Sequence, residues 1–472
     1  MIPAPHLEIA VLVLAVLLLL LESFASKLEA KVIAYCAIGG LAATFVATFF
    51  VAPPPGGEHL SGFWSFYTAD HLAIFFKQFS LLTTILVLIM MIDYAPVVQK
   101  SAGRGQAHLA EFFILPVLTC AGLMYLVSAI DFVMLFVSIE LVTISFFVLV
   151  SFTRKTPVSL EAGVKYLILG ALSTAFLVYG ITWIFGVTGE TNFDRVTAAF
   201  VNGNIDTNAA TFGAVLVLVS LGFKIAAVPF QIWVPDVYQG APTPVTAYLS
   251  VGSKAAGFVV LLRVLRPFLI LPKMQNLVVA LALLTVIYGN LAALPQGNLK
   301  RLLAFSSIAH AGYLLIGAVC FDGPAITFYL VAYLFMTLLS FAVLVVVAQR
   351  TGEEISDFNG LAKRSPFLAF AMLIGMVSLA GLPFTVGFFG KFLIFAGAVA
   401  HRQIALVIVG IITVACGFYY YLKVIRAMYW EPATREEQLP VSLLSRVVMS
   451  GMIIAIIVLG VYPQPILDAI KR

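Results

Sequence analysis

Apolar runs of about twenty residues recur along the whole chain, divided by short polar interruptions. A helix rising 1.5 Å per residue needs about twenty such residues to cross about 30 Å of hydrocarbon, so the rhythm predicts membrane-spanning segments. A barrel would instead show roughly ten-residue strands of alternating polarity, and these runs are continuous. The predicted helices lie near 6–24, 30–51, 71–93, 109–127, 131–152, 161–186 and 211–233. Seven more follow near 243–265, 276–294, 300–320, 325–348, 367–397, 404–428 and 443–462, giving an all-α integral membrane protein of about fourteen transmembrane helices. The first run lacks the basic leader and small-residue cleavage site of a secretory signal and is expected to be retained.

Two predicted helices are interrupted in a related way. The seventh reads from Gly222 to Pro229-Phe230 with Lys224 inside it, and the twelfth reads Ala380-Gly381-Leu382-Pro383-Phe384 onward to Gly390-Lys391. Proline removes a backbone donor and clashes with the preceding turn, so such a break is tolerated in a membrane mainly where protein or water re-satisfies the freed groups. The breaks lie five helices apart. An odd offset reverses direction across the bilayer, which predicts two inverted five-helix repeats, helices 4–8 and 9–13. The plain frequency of Pro and Gly in membrane helices is the competing explanation. The expected organisation is a three-helix N-terminal segment over 1–107, repeats over 108–267 and 268–430, and a C-terminal helix over 431–472.

Composition strengthens the membrane reading: 62% of residues are hydrophobic and 10% charged, against roughly 25% charged in a soluble domain. The net charge of +5 is spread over loops and gives no nucleic-acid footprint. With the N-terminus outside, fifteen basic residues fall in inward loops and seven outward, so the positive-inside rule puts both termini outside. Arg263, Arg266 and Lys273 are the misfits. Cys36, Cys120, Cys320 and Cys416 stand singly in apolar runs, without the spacing of a zinc, iron-sulfur or disulfide framework.

An ionisable side chain at the bilayer centre costs about 2.5 to 3.5 kcal/mol on insertion scales, so each marks a candidate site. Counting along the predicted helices puts Glu140 about 13 Å, Lys254 about 16 Å and Lys224 about 20 Å from the helix starts, with Lys391 beyond the second break. Removing an ammonium and a carboxylate from water favours their neutral forms, and bringing them together restores both charges. Moving either partner then drives proton uptake or release. A static Glu140–Lys224 pair that only fixes helix packing remains open. His6, His59, His71, His108 and His401 fall in loops or at helix ends, whereas His310 lies mid-helix, where an imidazole can pass a proton between its nitrogens or simply pack. Lys165, spaced i, i+4 from Glu161, and Lys300 are supporting candidates. There is no phosphate-binding GxxxxGK[ST] loop, GxGxxG turn, haem-like histidine pair or cysteine cluster, so any driving energy has to come from an ion gradient or from partners.

Several motifs carry a family resemblance. They are Phe136-Val137-Ser138-Ile139-Glu140-Leu141, Leu221-Gly222-Phe223-Lys224, Trp233-Val234-Pro235-Asp236-Val237-Tyr238-Gln239-Gly240-Ala241-Pro242 and Ser253-Lys254. Asn298-Leu299-Lys300-Arg301, Ser306-Ser307-Ile308-Ala309-His310, Ser378-Leu379-Ala380-Gly381-Leu382-Pro383 and Gly390-Lys391-Phe392 continue it. Together they resemble the antiporter-like membrane subunits of bacterial respiratory complex I, and subunit N in particular. Position 391 carries lysine, as in subunits N and L, and the chain lacks the long lateral helix of L. The resemblance implies a proton-translocating subunit of NADH:quinone oxidoreductase in the bacterial inner membrane. It implies Glu140 and Lys224 as a coupled pair, Lys254 and His310 as the central relay and Lys391 near the exit. It also implies no cofactor in this chain, with NADH, FMN, iron-sulfur clusters and quinone handled by partner subunits, and neighbouring membrane subunits and lipid as partners. A subunit of a multisubunit Na⁺(K⁺)/H⁺ antiporter is the alternative.

Overall fold

The computed structural model describes residues 3–25, 29–51, 65–102, 109–202, 205–271, 273–433 and 438–471. Lys27, Arg104, Arg435 and Arg472, all used in the orientation count, and His59 and His108 lie outside the described residues. The chain begins with α1 (Pro5–Phe24), α2 (Ala30–Thr48), α3 (His71–Ala102), α4 (Ala110–Ser128), α5 (Phe132–Val150) and α6 (Pro157–Thr188). A short α7 (Phe193–Val201) precedes α8 (Thr207–Ile225), and two short helices, α9 (Val234–Gly240) and α10 (Thr243–Tyr248), lead through a π turn at Leu249–Ser253 into α11 (Lys254–Phe268). Then come α12 (Met274–Ala293), α13 (Leu299–Val319), α14 (Gly323–Ala348) and a one-turn α15 (Leu361–Arg364). The chain ends with α16 (Pro366–Ala380), α17 (Val386–Ala400), α18 (Ile404–Tyr429), α19 (Leu443–Val461) and α20 (Gln464–Lys471).

Among the described residues, thirteen segments are long and apolar enough to cross a bilayer, α10 and α11 counting as one. The stretch expected as helix twelve is split into α16 and α17, each of 15 residues, and with it the tally reaches the expected fourteen. Helix starts follow local chemistry. Asp131, Asn298, Asp322 and Ser442 cap α5, α13, α14 and α19 by accepting from backbone N–H groups of the first turn.

Both expected breaks are present, and both come from backbone that cannot continue a helix. The seventh helix stops at Ile225, short of the expected 233, because Ala226 takes a left-handed φ of 65° and Pro229 has no N–H for the ladder. In the second break Gly381 (φ 86°) and Phe384 (φ 67°) flank Pro383, so the run 367–397 is divided into two helices where the interruption was expected.

By its packing the chain divides into two compact units. The first comprises Met1–Leu88, Val98–Ile225 and Gly252–Leu277. Within it α6 lies along α8, α4 packs on α5, α1 and α2, and α11 packs on α8. The Arg263 guanidinium grips Asp70 through two hydrogen bonds of 2.8 and 2.9 Å, which neutralises one of the basic residues that misfit the orientation rule. Burial opposes the Asp70 charge, yet Arg263 prevails and holds the carboxyl below its ordinary range.

The second unit comprises Ile89–Val97, Ala226–Val251 and Val278–Arg472. There α14 packs on α16, α17 and α19, and α13 packs on α9 and α17. Every residue of α13 except Arg301 is buried. A helix surrounded by protein on all sides must satisfy each of its polar groups internally, which makes the Lys300, Ser306, Ser307 and His310 side chains informative.

Candidate functional site

The first unit assembles Glu140, Lys224 and Lys254. Glu140 lies on α5, half-buried, in line with the outward-facing Val133, Val137, Ile144 and Val148. Its Oε1 accepts from the Thr174 hydroxyl of α6 at 2.6 Å. Lys224, one residue from the end of α8, donates instead to the Thr143 hydroxyl, one turn along α5 from Glu140. Thr143 in turn donates to the Ile139 carbonyl at 2.6 Å. The two charges therefore do not form a direct ion pair: each is held by a threonine, and Glu140 acts on Lys224 through space. A Ser173–Ser220 contact of 3.1 Å between Oγ atoms fixes α6 against α8, and with it the spacing of the site.

Beside Lys224 lies a cavity of about 10 Å³ lined by Leu126, Ile139, Val142, Leu221, Ser253, Gly257 and Val260. That is about the room one water molecule needs. Ser253 immediately precedes Lys254, which opens α11 after the π turn and is 2% exposed.

The second unit assembles His310 and Lys391. The Lys391 ammonium donates to the carbonyls of Leu379 at 2.9 Å and Ala380 at 2.8 Å, the last residues of α16. Those carbonyls have no onward helical partner, because the chain turns at Gly381, and they carry the negative end of the helix dipole. A side chain at Gly381 would approach Lys391 Cδ to 3.0 Å and Nζ to 3.1 Å, so the left-handed glycine serves both the break and the lysine. His310 meets two tyrosine hydroxyls, Tyr329 at 2.7 Å from Nδ1 and Tyr421 at 3.1 Å from Nε2, and Tyr421 also bonds Ser306.

The supporting candidates sit elsewhere. Lys165 pairs with Glu161 at 2.7 Å on the outer face of α6, where both side chains are exposed. Lys300 donates to the Ala241 carbonyl at 2.8 Å and to Glu353 at 3.0 Å, and its neighbour Arg301 donates to Asp236 at 2.9 Å and Gln239 at 3.0 Å. The motif around Asp236–Gln239 and the motif around Lys300 thus serve as each other's anchor.

One buried charge pair was missed from sequence. Glu8 of α1 and Lys77 of α3 form an ion pair at 2.9 Å with both side chains at 0% exposure, and the Tyr67 hydroxyl donates to the same Glu8 oxygen at 3.0 Å. Lys77 also stands in an apolar run, but near its predicted start, where a long cationic side chain can reach the interface.

Comparison with known proteins adds to this geometry. The family model described as NADH:quinone oxidoreductase/Mrp antiporter, transmembrane, matches residues 129–417. The chain is 39% identical to NADH-quinone oxidoreductase subunit N of Trichlorobacter lovleyi over 98% of its own length and 94% of that protein. To the subunit N of Chlorobium chlorochromatii it is 37% identical over 98% of its length and 92% of the relative. Among solved structures it matches a chain of respiratory complex I from Thermus thermophilus with bound aureothin, with a TM-score of 0.83 and 31% identity, covering 98% of this chain and 99% of that one.

Proposed function

The chain belongs to the subunit N family of NADH-quinone oxidoreductases, and from that membership we propose that Glu140, Lys224, Lys254, His310 and Lys391 carry protons through it. The protein is a multi-pass membrane subunit of that oxidoreductase and takes part in proton translocation. Quinone reduction in other subunits drives the movement, with NADH, FMN and iron-sulfur clusters also housed there, while neighbouring membrane subunits of the complex flank this one. The chain's own share of the enzyme's work is translocation and involves no redox step. Its place is the bacterial inner membrane, with both termini outside.

The observation that carries the reading is the pair of broken helices, each ending beside a buried lysine: Lys224 is 8% exposed and Lys391 6%. An ammonium enclosed in protein persists only with partners, and shifting those partners changes its proton affinity. Lys224 answers to Thr143 and to Glu140, and the cavity beside it is lined in part by Ser253, next in sequence to Lys254. The likeness of the breaks also supports two five-helix repeats of opposite topology.

Replacing Lys224 or Lys391 by Met tests this in the assembled complex, with proton pumping into vesicles measured beside quinone reductase turnover. Loss of pumping in either variant is expected. Full pumping in both overturns the reading. Sodium-dependent pH gradients in place of quinone-coupled ones favour the cation/proton antiporter alternative.

A further inference from the structure

His310 is held differently from His401, whose Nδ1, at the exposed end of α17, faces the Gly397 carbonyl at 2.9 Å. A carbonyl only accepts, so it keeps the proton on Nδ1 and selects one tautomer. At His310 both ring nitrogens meet hydroxyls, and a hydroxyl both donates and accepts. Either tautomer is then equally well satisfied, and the ring can exchange one for the other without leaving a buried polar atom unpaired. The hydroxyls themselves are fixed in place. Tyr329 and Tyr421 are fully buried, and the Tyr329 ring lies so close to α17 that a Cβ on Gly390 would come within 2.7 Å of it. On the far side Tyr421 bonds the Ser306 hydroxyl, one turn before His310 on α13.

We propose that Tyr329, His310, Tyr421 and Ser306 form a hydroxyl-flanked proton wire, in which the two tyrosines are proton-carrying groups and His310 changes tautomer at each passage. The inference rests on the proposed relay through His310 and adds the groups on either side of it. With the ring proton first on Nε2, the Tyr329 oxygen receives a proton and passes its own hydroxyl proton to Nδ1, making His310 an imidazolium. The Nε2 proton then moves to the Tyr421 oxygen as that hydroxyl gives its proton to the Ser306 oxygen, which passes its own hydroxyl proton onward. One proton has entered and one has left, and every oxygen is again a neutral hydroxyl. His310 is left neutral with its proton on Nδ1, and a turn of the ring that carries this proton to the Tyr421 side, with rotation of the three hydroxyls, resets the wire without any proton moving back.

The test uses Tyr329→Phe, Tyr421→Phe, Ser306→Ala and His310→Phe in the intact complex. Assembly is followed by native electrophoresis, and pumping rate is measured in H₂O and D₂O. Phenylalanine keeps each ring and removes only the hydroxyl. We expect assembled Phe variants whose pumping falls about tenfold, with an altered solvent isotope effect that a packing role would leave unmoved. Full pumping with an unchanged isotope effect in Tyr329→Phe and Tyr421→Phe, beside loss in His310→Phe, overturns the wire and leaves the relay standing. Full pumping in His310→Phe overturns the relay itself. If a tyrosine variant fails to assemble, Ser306→Ala decides: reduced pumping supports the wire and full pumping overturns it.

Discussion

Lys224 and Lys391 both sit beside an interrupted helix, yet the first is held by the side-chain hydroxyl of Thr143 with the Glu140 carboxylate nearby, and the second by two main-chain carbonyls. The difference follows from which side of the break carries the lysine. Lys224 precedes its break, on the helix that ends there, so its partners come from the neighbouring α5. Lys391 follows its break and reaches back to the carbonyls that the break exposes. A lysine held by a threonine in the field of a carboxylate can be adjusted by moving one helix or protonating one group. One tied to backbone carbonyls is set by the fold of the break itself. The first arrangement suits a responsive position and the second a fixed station.

The sharpest way to break this comparison is at the second turn. Gly381→Val puts a branched side chain at φ 86° against Lys391, and we expect a loss of about 3 kcal/mol or more, read as a lower thermal unfolding midpoint of the complex. At the first break Ala226 already occupies left-handed backbone, so Ala226→Gly should change stability by about 1 kcal/mol or less in the same assay. A large loss there would show that the two turns are not built on the same strain.

Next in size, Thr143→Val strips Lys224 of its hydroxyl partner, at a cost of about 1 to 3 kcal/mol for a buried charged donor. Pumping should fall about tenfold while quinone reductase assembly persists. A double-mutant cycle between Glu140→Gln and Lys224→Met should return a coupling of about 0.5 to 3 kcal/mol in pumping rate, and additivity would remove Glu140 from the account. The smallest effect belongs to Asp70, whose carboxyl is held below its ordinary range by Arg263. A depressed carboxyl contributes stability above the unfolded-state pKa and loses it as pH falls through the folded one. The wild type should therefore lose more unfolding stability than Asp70→Asn on acidification below about pH 4. With the Asp70 side chain 40% exposed, the difference should stay under about 1 kcal/mol.

Much of the fold was legible because hydrocarbon leaves a chain few options: apolar run lengths returned the helices, and prolines with a nearby lysine returned both breaks. Helix ends were less legible where backbone conformation decides them. Nothing in the residue type of Ala226 announces a left-handed turn, so the seventh helix ends earlier than hydropathy suggests. At the site, sequence could nominate charges without saying what holds them. The threonines at 143 and 174 look like any membrane threonine, and Tyr329 and Tyr421 lie 19 and 111 residues from the histidine they flank. Glu8 and Lys77 were missed for a different reason: each stands near the start of its run, where a charge reads as a snorkelling end, and only their meeting shows that both are enclosed.

The carbonyl cradle of Lys391 has a consequence for how such a protein tolerates change. A charge whose partners are main-chain oxygens cannot be orphaned by replacing the side chains of Leu379 or Ala380, since every amino acid supplies the same oxygen. A mutational scan across that stretch should therefore register only the packing of the buried Leu379 and Ala380 side chains, with the lysine's partners intact. The cradle itself is vulnerable at Gly381 and Pro383, the residues that bend the chain.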